Sequence, residues 1–213
     1  MGDIKYNHIA IEGIIGAGKS TLTNLLAQKL DARTTYEEFD DNPFLPLFYK
    51  EPERYALQLE LSFLAARFHQ LTKAANQSDL FQPIRVSDYW FDKCLVFAQN
   101  NLTEVEFQLY RNLFDIIHPR LSKPDLIVYL YLTVDDALKR IEQRGRSYEQ
   151  DILPDYLSHL HDGYWRHLKS QSGQKIVVLN AMEFDFLNQE NDIDFLSNLL
   201  KQNFENGITR ISK

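Results

Sequence analysis

The fold is indicated by the stretch HIAIEGIIGAGKSTL at residues 8–22, because an apolar strand runs into a glycine-rich turn that opens a helix. The spacing G-x-x-x-x-G-K-[ST] is filled by Gly13, Gly18, Lys19 and Ser20. In such a loop backbone N–H groups turn inward around phosphate oxygens, the lysine reaches the outer phosphates and the hydroxyl ligates Mg²⁺. The sequence therefore predicts a nucleoside-triphosphate site with contacts from Gly13, Ile14, Ile15, Gly16, Ala17, Gly18, Lys19, Ser20 and Thr21.

Outward from this loop, strand-like and helix-like segments alternate along the chain. Strands are predicted at residues 8–12, 33–37, 84–87, 125–132 and 175–179, and a last helix at about 192–204. Parallel strands joined by right-handed helical crossovers gather ligands at the carboxyl edge of the sheet. We therefore expect an α/β fold with a five-stranded parallel sheet flanked by helices, and with Gly13–Ser20, Glu37 and Asp88 at one edge.

Length, composition and charge narrow the class of protein. With 213 residues, 44% of them hydrophobic, the chain suits one domain spanning residues 1–213. The net charge of −7 argues against nucleic acid as the main partner, because phosphate backbones need basic surfaces. The longest strongly apolar run, residues 126–132, is far shorter than the roughly 20 residues of a membrane span. The single cysteine, Cys94, fits a reducing compartment, so we expect a cytoplasmic protein that binds no membrane.

A carboxylate stands close to the predicted phosphate site. Glu37 closes the second predicted strand, where it can take the proton of a hydroxyl that accepts a phosphoryl group. The alternative is a solvated charge at a strand end. Glu37 is therefore a candidate catalytic base.

An arginine cluster follows the fourth predicted strand. Arg140 and Arg144 are four residues apart and share one helix face, while Gly145 ends the helix and presents Arg146 on a loop. Arginines that converge on a triphosphate neutralise the charge that spreads over its oxygens during transfer. We expect a short arginine-rich lid at about residues 140–152, although such a run is often only a solvated helix face.

Together these features resemble the deoxynucleoside kinase family, in its bacterial deoxyadenosine/deoxyguanosine kinase branch. The resemblance rests on IEGIIGAGKST (11–21), YEEFDDNPFL (36–45), FYKEPERY (48–55) and RGRSYEQ (144–150). The first motif is shared by many kinases, whereas the last is much more specific. The resemblance implies a P-loop kinase that uses ATP and Mg²⁺ to phosphorylate the 5′-hydroxyl of a deoxynucleoside in nucleotide salvage.

The resemblance also implies roles at the phosphate end of the site. Glu37 matches the base that deprotonates the 5′-hydroxyl, and Lys19 matches the lysine that acts with the lid arginines on the transferred group. The implied magnesium-side residues are Ser20, Glu37 and Asp88. The implied lid arginines are Arg140, Arg144 and Arg146, of which Arg144 also contacts ATP. Asp185 and Phe186 resemble the loop that contacts the adenine of ATP.

Further roles are implied at the nucleoside. Tyr49 and Glu149 match a pair that holds the sugar 3′-hydroxyl, Arg67 matches an arginine beside the base, and Phe97 is placed to stack on the base. The full set of implied substrate contacts is Glu37, Tyr49, Glu60, Arg67, Asp88, Phe97 and Glu149.

The first departure from the family pattern is a missing arginine. The acidic-Arg-Ser motif after the third strand appears as VSDYW at residues 86–90, with Asp88 as the acidic residue and no arginine. Loss of that cation needs compensation, for which Lys93 and Arg85 are the candidates.

The second departure is Glu60, which stands where the family usually has glutamine. A carboxylate only accepts hydrogen bonds, and guanine alone offers two adjacent ring-edge donors, N1–H and N2–H. This favours a purine deoxynucleoside, deoxyguanosine first and deoxyadenosine next. If Glu60 is instead protonated, or paired with Arg67 seven residues on, base choice falls to other groups.

Two other functions remain open from the sequence. A nucleoside monophosphate kinase also joins a phosphate loop to a lid, but it needs an arginine for the acceptor phosphate. A non-catalytic partner subunit of a kinase heterodimer would explain the altered motif at Asp88. The family is usually dimeric, which favours a homodimer without excluding a heterodimer. The helix at residues 104–117 has an apolar stripe that could form such an interface or pack on the sheet.

Overall fold

The computed structural model describes residues 4–38, 42–76, 83–146, 149–150 and 152–213. The strands are β1 His8–Glu12, β2 Arg33–Thr35, β3 Arg85–Ser87, β4 Leu126–Tyr131, β5 Lys175–Asn180 and β6 Gly207–Ile211. The helices are α1 Lys19–Leu30, α2 Leu45–Lys50, α3 Pro52–Asn76, α4 Lys93–Asn101, α5 Glu104–Ile117, α6 Val134–Arg144, α7 Pro154–Ser170 and α8 Glu190–Leu199. No helix in this described part is long and apolar enough to cross a membrane.

The strands form one parallel sheet with the order β2-β3-β1-β4-β5-β6. This confirms the predicted α/β class with a parallel sheet flanked by helices. The predicted count of five strands is wrong, because the described residues contain six. β6 pairs with β5 from Lys175↔Gly207 to Leu179↔Ile211. The segment GITRI is short and half-buried at the sheet edge, so it lacks the apolar run that marks the central strands.

The core lies on both faces of the central strands. β4 carries the buried run Leu126–Leu130, and β1 contributes the fully buried Ile9 and Ile11. Helix α1 places Leu22 and Leu26 against this layer, at the spacing of one helix face. Burial of each such side chain stabilises the fold by about 1.5–3 kcal/mol. The helix that follows the phosphate loop is therefore fixed directly against the sheet.

Helix α6 begins after a threonine cap and ends at Gly145, where the sequence predicts its end. The Thr133 hydroxyl accepts a hydrogen bond from the backbone N–H of Asp136 at 3.3 Å. At the other end Gly145 adopts a left-handed conformation with φ of 70°, and its N–H donates to the carbonyl of Ile141. The cap at Thr133 and the turn at Gly145 thus fix both ends of the helix that carries Arg140 and Arg144.

Two predicted element ends are wrong. β2 ends at Thr35, so Glu37 lies in the loop beyond the strand rather than closing it. Hydrogen bonds hold this loop in place, because the N–H of Asp88 donates to the Thr35 carbonyl at 3.1 Å and the N–H of Glu37 donates to Asp88 Oδ1 at 2.7 Å. The last helix, α8, ends at Leu199 instead of at Phe204.

The apolar stripe of α5 does not pack on the sheet. Val105, Leu109 and Ile116 are exposed by 82%, 51% and 62%. The same helix buries Tyr110 and Phe114 against α3 and α4. The exposed part of the stripe is thus a separate apolar face of α5.

Candidate active site

A cavity of about 380 Å³ opens where the phosphate loop follows β1. It extends from that loop to side chains of α2, α3, α4 and α7. The predicted site residues that line it are Ile15, Gly16, Gly18, Lys19, Ser20, Thr21, Glu37, Tyr49, Glu60, Arg67, Asp88, Phe97, Arg140, Arg144, Arg146 and Glu149. Segments far apart in sequence therefore meet around one cavity.

Other predicted site residues lie outside the lining of this cavity: Gly13, Ile14, Ala17, Asp185 and Phe186. Ile14 and Ala17 are buried in the core, so their contribution to phosphate binding is restricted to the backbone. Phe186 stacks on Phe184 with ring centroids 5.4 Å apart. Asp185 accepts hydrogen bonds from Asn188.

The phosphate loop needs glycine for steric reasons. Gly16 has a φ of +84°, and a Cβ there would lie 2.9 Å from the carbonyl oxygen of Ala137. Lys19 donates from Nζ to the carbonyls of Gly13 at 2.9 Å and Ile14 at 3.1 Å. Burial, with repulsion from Lys93 added, lowers the pKa of Lys19 to about 8. The lysine is thus held within its own loop, next to the cavity.

Ser20 and Asp88 form a pair of oxygen ligands at the phosphate end. The Ser20 hydroxyl donates to Asp88 Oδ2 at 2.6 Å. Burial raises the pKa of Asp88 above its ordinary value, against the effect of this hydrogen bond. A hydroxyl and a carboxylate side by side match the oxygen ligands that Mg²⁺ prefers, so these residues fit a magnesium ion.

Glu37 lies between two buried cations. Arg67 donates from Nε to Glu37 Oε1 at 2.7 Å, and Lys93 donates from Nζ to Oε2 at 2.7 Å. Burial alone would raise the pKa of Glu37, but the two cations outweigh it and hold that pKa well below the ordinary range. Glu37 is therefore ionised, and each of its oxygens has a cationic partner.

Lys93 supplies a cation at the site that lacks the family arginine. Its side chain is 3% exposed and lines the cavity. Arg85, the other candidate, is outside the cavity lining and contacts His8 Nδ1 at 2.8 Å. Tyr89, which follows Asp88, is buried and donates from its hydroxyl to Gln70. The structure therefore distinguishes the two candidates that the sequence left open.

The lid arginines take two kinds of partner. Arg140 donates to the carbonyls of Ala17 at 3.3 Å and Ala181 at 3.1 Å, which joins α6 to the phosphate loop. Arg144 and Arg146 both donate to the buried carboxylate of Glu149. Residues 147, 148 and 151 of the predicted lid lie outside the described residues.

Glu60 lines the part of the cavity formed by α3 and α4 and is only 1% exposed. Its Oε1 accepts a hydrogen bond from Asn101 Nδ2 at 2.6 Å, whereas Oε2 has no partner among the described residues. Burial raises the pKa of Glu60 to about 7, against the lowering effect of Arg67. The considered ion pair between Glu60 and Arg67 is not formed, because Arg67 pairs with Glu37.

Comparisons with known proteins identify the family. The sequence pattern of the deoxynucleoside kinase family matches residues 9–204. The chain belongs to the deoxynucleoside kinase family. It is 33% identical to a deoxyguanosine kinase of Bacillus subtilis, over 91% of this chain and 96% of the relative. It is 32% identical to a deoxyadenosine/deoxycytidine kinase of the same organism, over 89% of both chains.

A solved structure shares the fold of this deoxynucleoside kinase. The structure of a deoxyadenosine kinase from M. mycoides with bound dATP superposes with a TM-score of 0.78 at 25% identity, over 92% of this chain and 99% of that one. Family membership makes the protein a phosphotransferase. It also argues against the monophosphate kinase that the sequence alone left open.

Sequence reasoning missed three residues of this deoxynucleoside kinase that shape the site: Glu12, Lys93 as the partner of Glu37, and Asn101. Glu12 is fully buried at the end of β1 and accepts hydrogen bonds from the N–H of Gly13, the N–H of Trp90 and the Tyr164 hydroxyl, each at 3.0 Å. It thereby ties the phosphate loop to the segment after β3 and to α7. A charged residue ending an apolar strand was the available signal.

Proposed function

We propose that this deoxynucleoside kinase transfers the γ-phosphoryl group of ATP to the 5′-hydroxyl of a purine deoxynucleoside, with deoxyguanosine favoured over deoxyadenosine, in nucleotide salvage. A bond forms between the 5′-oxygen and the γ-phosphorus, the bond to the β–γ bridging oxygen breaks, and the hydroxyl proton passes to Glu37. The products are ADP and the deoxynucleoside monophosphate. The observation that supports the base order is the unpartnered, buried carboxylate oxygen of Glu60.

The phosphate end acts through charge and position. Lys19 and the lid arginines 140, 144 and 146 line the cavity, and they neutralise the negative charge that spreads over the transferring group. Lys19 leaves its bonds to the loop carbonyls and reaches the outer phosphates. Arg144 and Arg146 exchange Glu149 for phosphate oxygens, which releases Glu149 toward the sugar.

Glu37 acts as an ionised acceptor that orients the 5′-hydroxyl. The low pKa imposed by Arg67 and Lys93 makes it a weak base. Phosphoryl transfer tolerates this, because its loose transition state depends on positioning more than on early removal of the proton. The two cations also keep the carboxylate charged in a buried place.

Ser20 and Asp88 would hold Mg²⁺ at the phosphate end, since their oxygens are already adjacent. The ion supplies charge neutralisation on the outer phosphates when bound. Glu37 is less suited to direct ligation, because both of its oxygens have cationic partners. It stays near the ion as a member of the predicted magnesium side.

The nucleoside extends from Glu37 to Glu60. Tyr49 and Glu149 line the part of the cavity assigned to the sugar 3′-hydroxyl, and Phe97 presents a ring for base stacking. At the end, the Glu60 carboxylate accepts hydrogen bonds from guanine N1–H and N2–H. Asp185 and Phe186 are assigned to the adenine of ATP.

The exposed apolar face of α5 supports a homodimer. Val105, Leu109 and Ile116 would be covered by the same face of a second copy, in the self-complementary manner of a two-fold interface. Buried, unpaired Cys94 fits a cytoplasmic setting. Size-exclusion chromatography with light scattering measures the oligomeric state directly.

A steady-state assay tests the proposed activity. ADP release is measured with ATP, Mg²⁺ and each of the four deoxynucleosides, then with the corresponding monophosphates. We expect the largest kcat/KM for deoxyguanosine, a smaller one for deoxyadenosine, and no turnover of the monophosphates. Equal or better use of deoxyadenosine would refute the base order, and ATP turnover with no acceptor specificity would refute the activity.

A further inference from the structure

Asn101 stands next to Glu60 at the base end of the cavity. It is the last residue of α4, it is half-buried, and it lines the cavity together with Glu60 and Tyr156. Its Nδ2 lies 2.6 Å from Glu60 Oε1. The pair brings α4 and α3 together at the point where the base of the nucleoside is assigned.

The neighbours of Asn101 determine which way its amide faces. An ionised carboxylate only accepts hydrogen bonds, so the NH₂ side of the amide must face Glu60. The opposite side, Oδ1, accepts from Asn100 Nδ2 at 3.1 Å. The NH₂ group has two N–H donors, and Glu60 takes one of them. The second lies near the Tyr156 hydroxyl, and a ligand that lies against both Glu60 and Asn101 can accept from it in place of that hydroxyl.

This arrangement creates a row of three hydrogen-bonding groups. Asn101 Nδ2 is a donor, Glu60 Oε1 is an acceptor beside it, and Glu60 Oε2 is a second acceptor that is buried and unpartnered. The edge of guanine presents the complementary row, with O6 as acceptor and N1–H and N2–H as donors. The edge of cytosine, its natural partner, offers the same donor–acceptor–acceptor order as these two side chains.

We propose that Asn101 is a specificity-determining residue that donates to guanine O6 while Glu60 accepts from N1–H and N2–H. This inference rests on the proposed function, which assigns the base to this end of the cavity. Adenine places its 6-amino group where O6 would be, so two donors oppose each other at Asn101. Adenine N1 likewise opposes an acceptor of Glu60. Asn101 thus rejects the wrong purine as well as binding the right one.

The test removes the donor from the protein and the acceptor from the substrate. In 6-thiodeoxyguanosine a weak sulfur acceptor replaces O6, while N1–H and N2–H remain. We expect the wild-type kcat/KM to fall roughly tenfold from deoxyguanosine to the thio analogue, the effect of one hydrogen bond. In Asn101→Ala the kcat/KM values for deoxyguanosine and the thio analogue should differ by no more than about threefold. Gln99→Ala, an exposed change on the same helix, is the control and should keep the wild-type ratio.

The outcomes of this test distinguish failure of the Asn101 inference from failure of the proposed function. If Asn101→Ala lowers kcat/KM by one common factor for deoxyguanosine, its thio analogue and deoxyadenosine, the role of Asn101 is structural. That result overturns the inference but leaves the proposed kinase activity unaffected. If the wild type prefers deoxyadenosine, the base order of the proposed function is refuted, and the role of Asn101, which rests on that order, is refuted with it. A thermal melt checks folding of the variant. Should Asn101→Ala unfold, Asn101→Ser keeps a polar side chain too short to reach O6, and the same loss of the ratio is expected.

Discussion

The two ends of the cavity are built in different ways. At the phosphate end, one continuous segment, residues 13–21, supplies Lys19, Ser20 and several backbone groups, and Asp88 and the lid arginines complete the lining. At the base end, single side chains arrive from separate helices, as Glu60 from α3 and Asn101 from α4. A site of the first kind contacts the same groups of every substrate, whichever base it carries. Under the proposed function the second kind determines which base is accepted, so changes at the two ends should have different kinetic signatures.

The largest expected effect is at Glu37, between the two ends. Glu37→Gln removes the charge that orients the 5′-hydroxyl and should lower kcat by about 10²–10⁴ for every deoxynucleoside. The ratios of kcat/KM between the deoxynucleosides should stay the same. Steady-state kinetics measure both quantities, with the exposed neighbour change Glu38→Gln as the matched control. A Glu37→Gln enzyme within about threefold of wild type would remove Glu37 from this role.

Glu60→Gln should instead change the preference between deoxyguanosine and deoxyadenosine. An amide pairs with the donor–acceptor edge of adenine, so the ratio of kcat/KM for deoxyguanosine to that for deoxyadenosine should fall about 10²-fold. Binding of ATP should not change, because the phosphate end is untouched. A loss shared equally by both nucleosides would mean that Glu60 does not contact the base edge.

Lys93→Met tests the substitute for the missing arginine. Removal of this buried cation leaves Glu37 with Arg67 alone, so the pKa of Glu37 should rise and kcat should fall roughly 10–10²-fold for all bases. The pH profile of kcat should gain an acidic limb that the wild type lacks. Arg85→Met is the control, because Arg85 lies outside the cavity lining and should leave kcat unchanged. An unchanged pH profile in Lys93→Met would contradict the assignment.

A smaller effect is expected from pH alone. Burial raises the pKa of Glu60 to about 7, so its neutral form, with one donor and one acceptor, dominates below that pH and its ionised form above it. The preference for deoxyguanosine over deoxyadenosine should therefore increase severalfold between about pH 6 and about pH 8. The groups that influence Glu60 are Arg67, Asn101, Lys93 and Glu37. Glu60→Gln provides the control, since its base ratio should not vary with pH.

The strand, turn and helix around the phosphate loop could be predicted from the sequence because their signal is local. A strand, a spaced set of glycines and a helix fix the loop, and residues 8–30 contain all three. The end of α6 at Gly145 was predictable for the same reason. The parallel sheet followed from apolar strands between helices.

The base end could not be read in this way, because its contacts join residues distant in sequence. The bond between Glu60 and Asn101 spans 41 positions, and the ion pair between Lys93 and Glu37 spans 56. No pattern within either segment encodes these distances. Glu12 ends an apolar strand, but its role was missed because its three donors come from separate segments of the chain. Strand β6 was missed because its edge position leaves it half exposed.

A crystal structure with ADP and deoxyguanosine would show where the nucleoside lies in the cavity. In the proposed arrangement the 5′-hydroxyl lies within hydrogen-bond distance of Glu37, and guanine N1 and N2 lie against the Glu60 carboxylate, with O6 facing Asn101. A base edge directed away from Glu60, or a 5′-hydroxyl remote from Glu37, would contradict it.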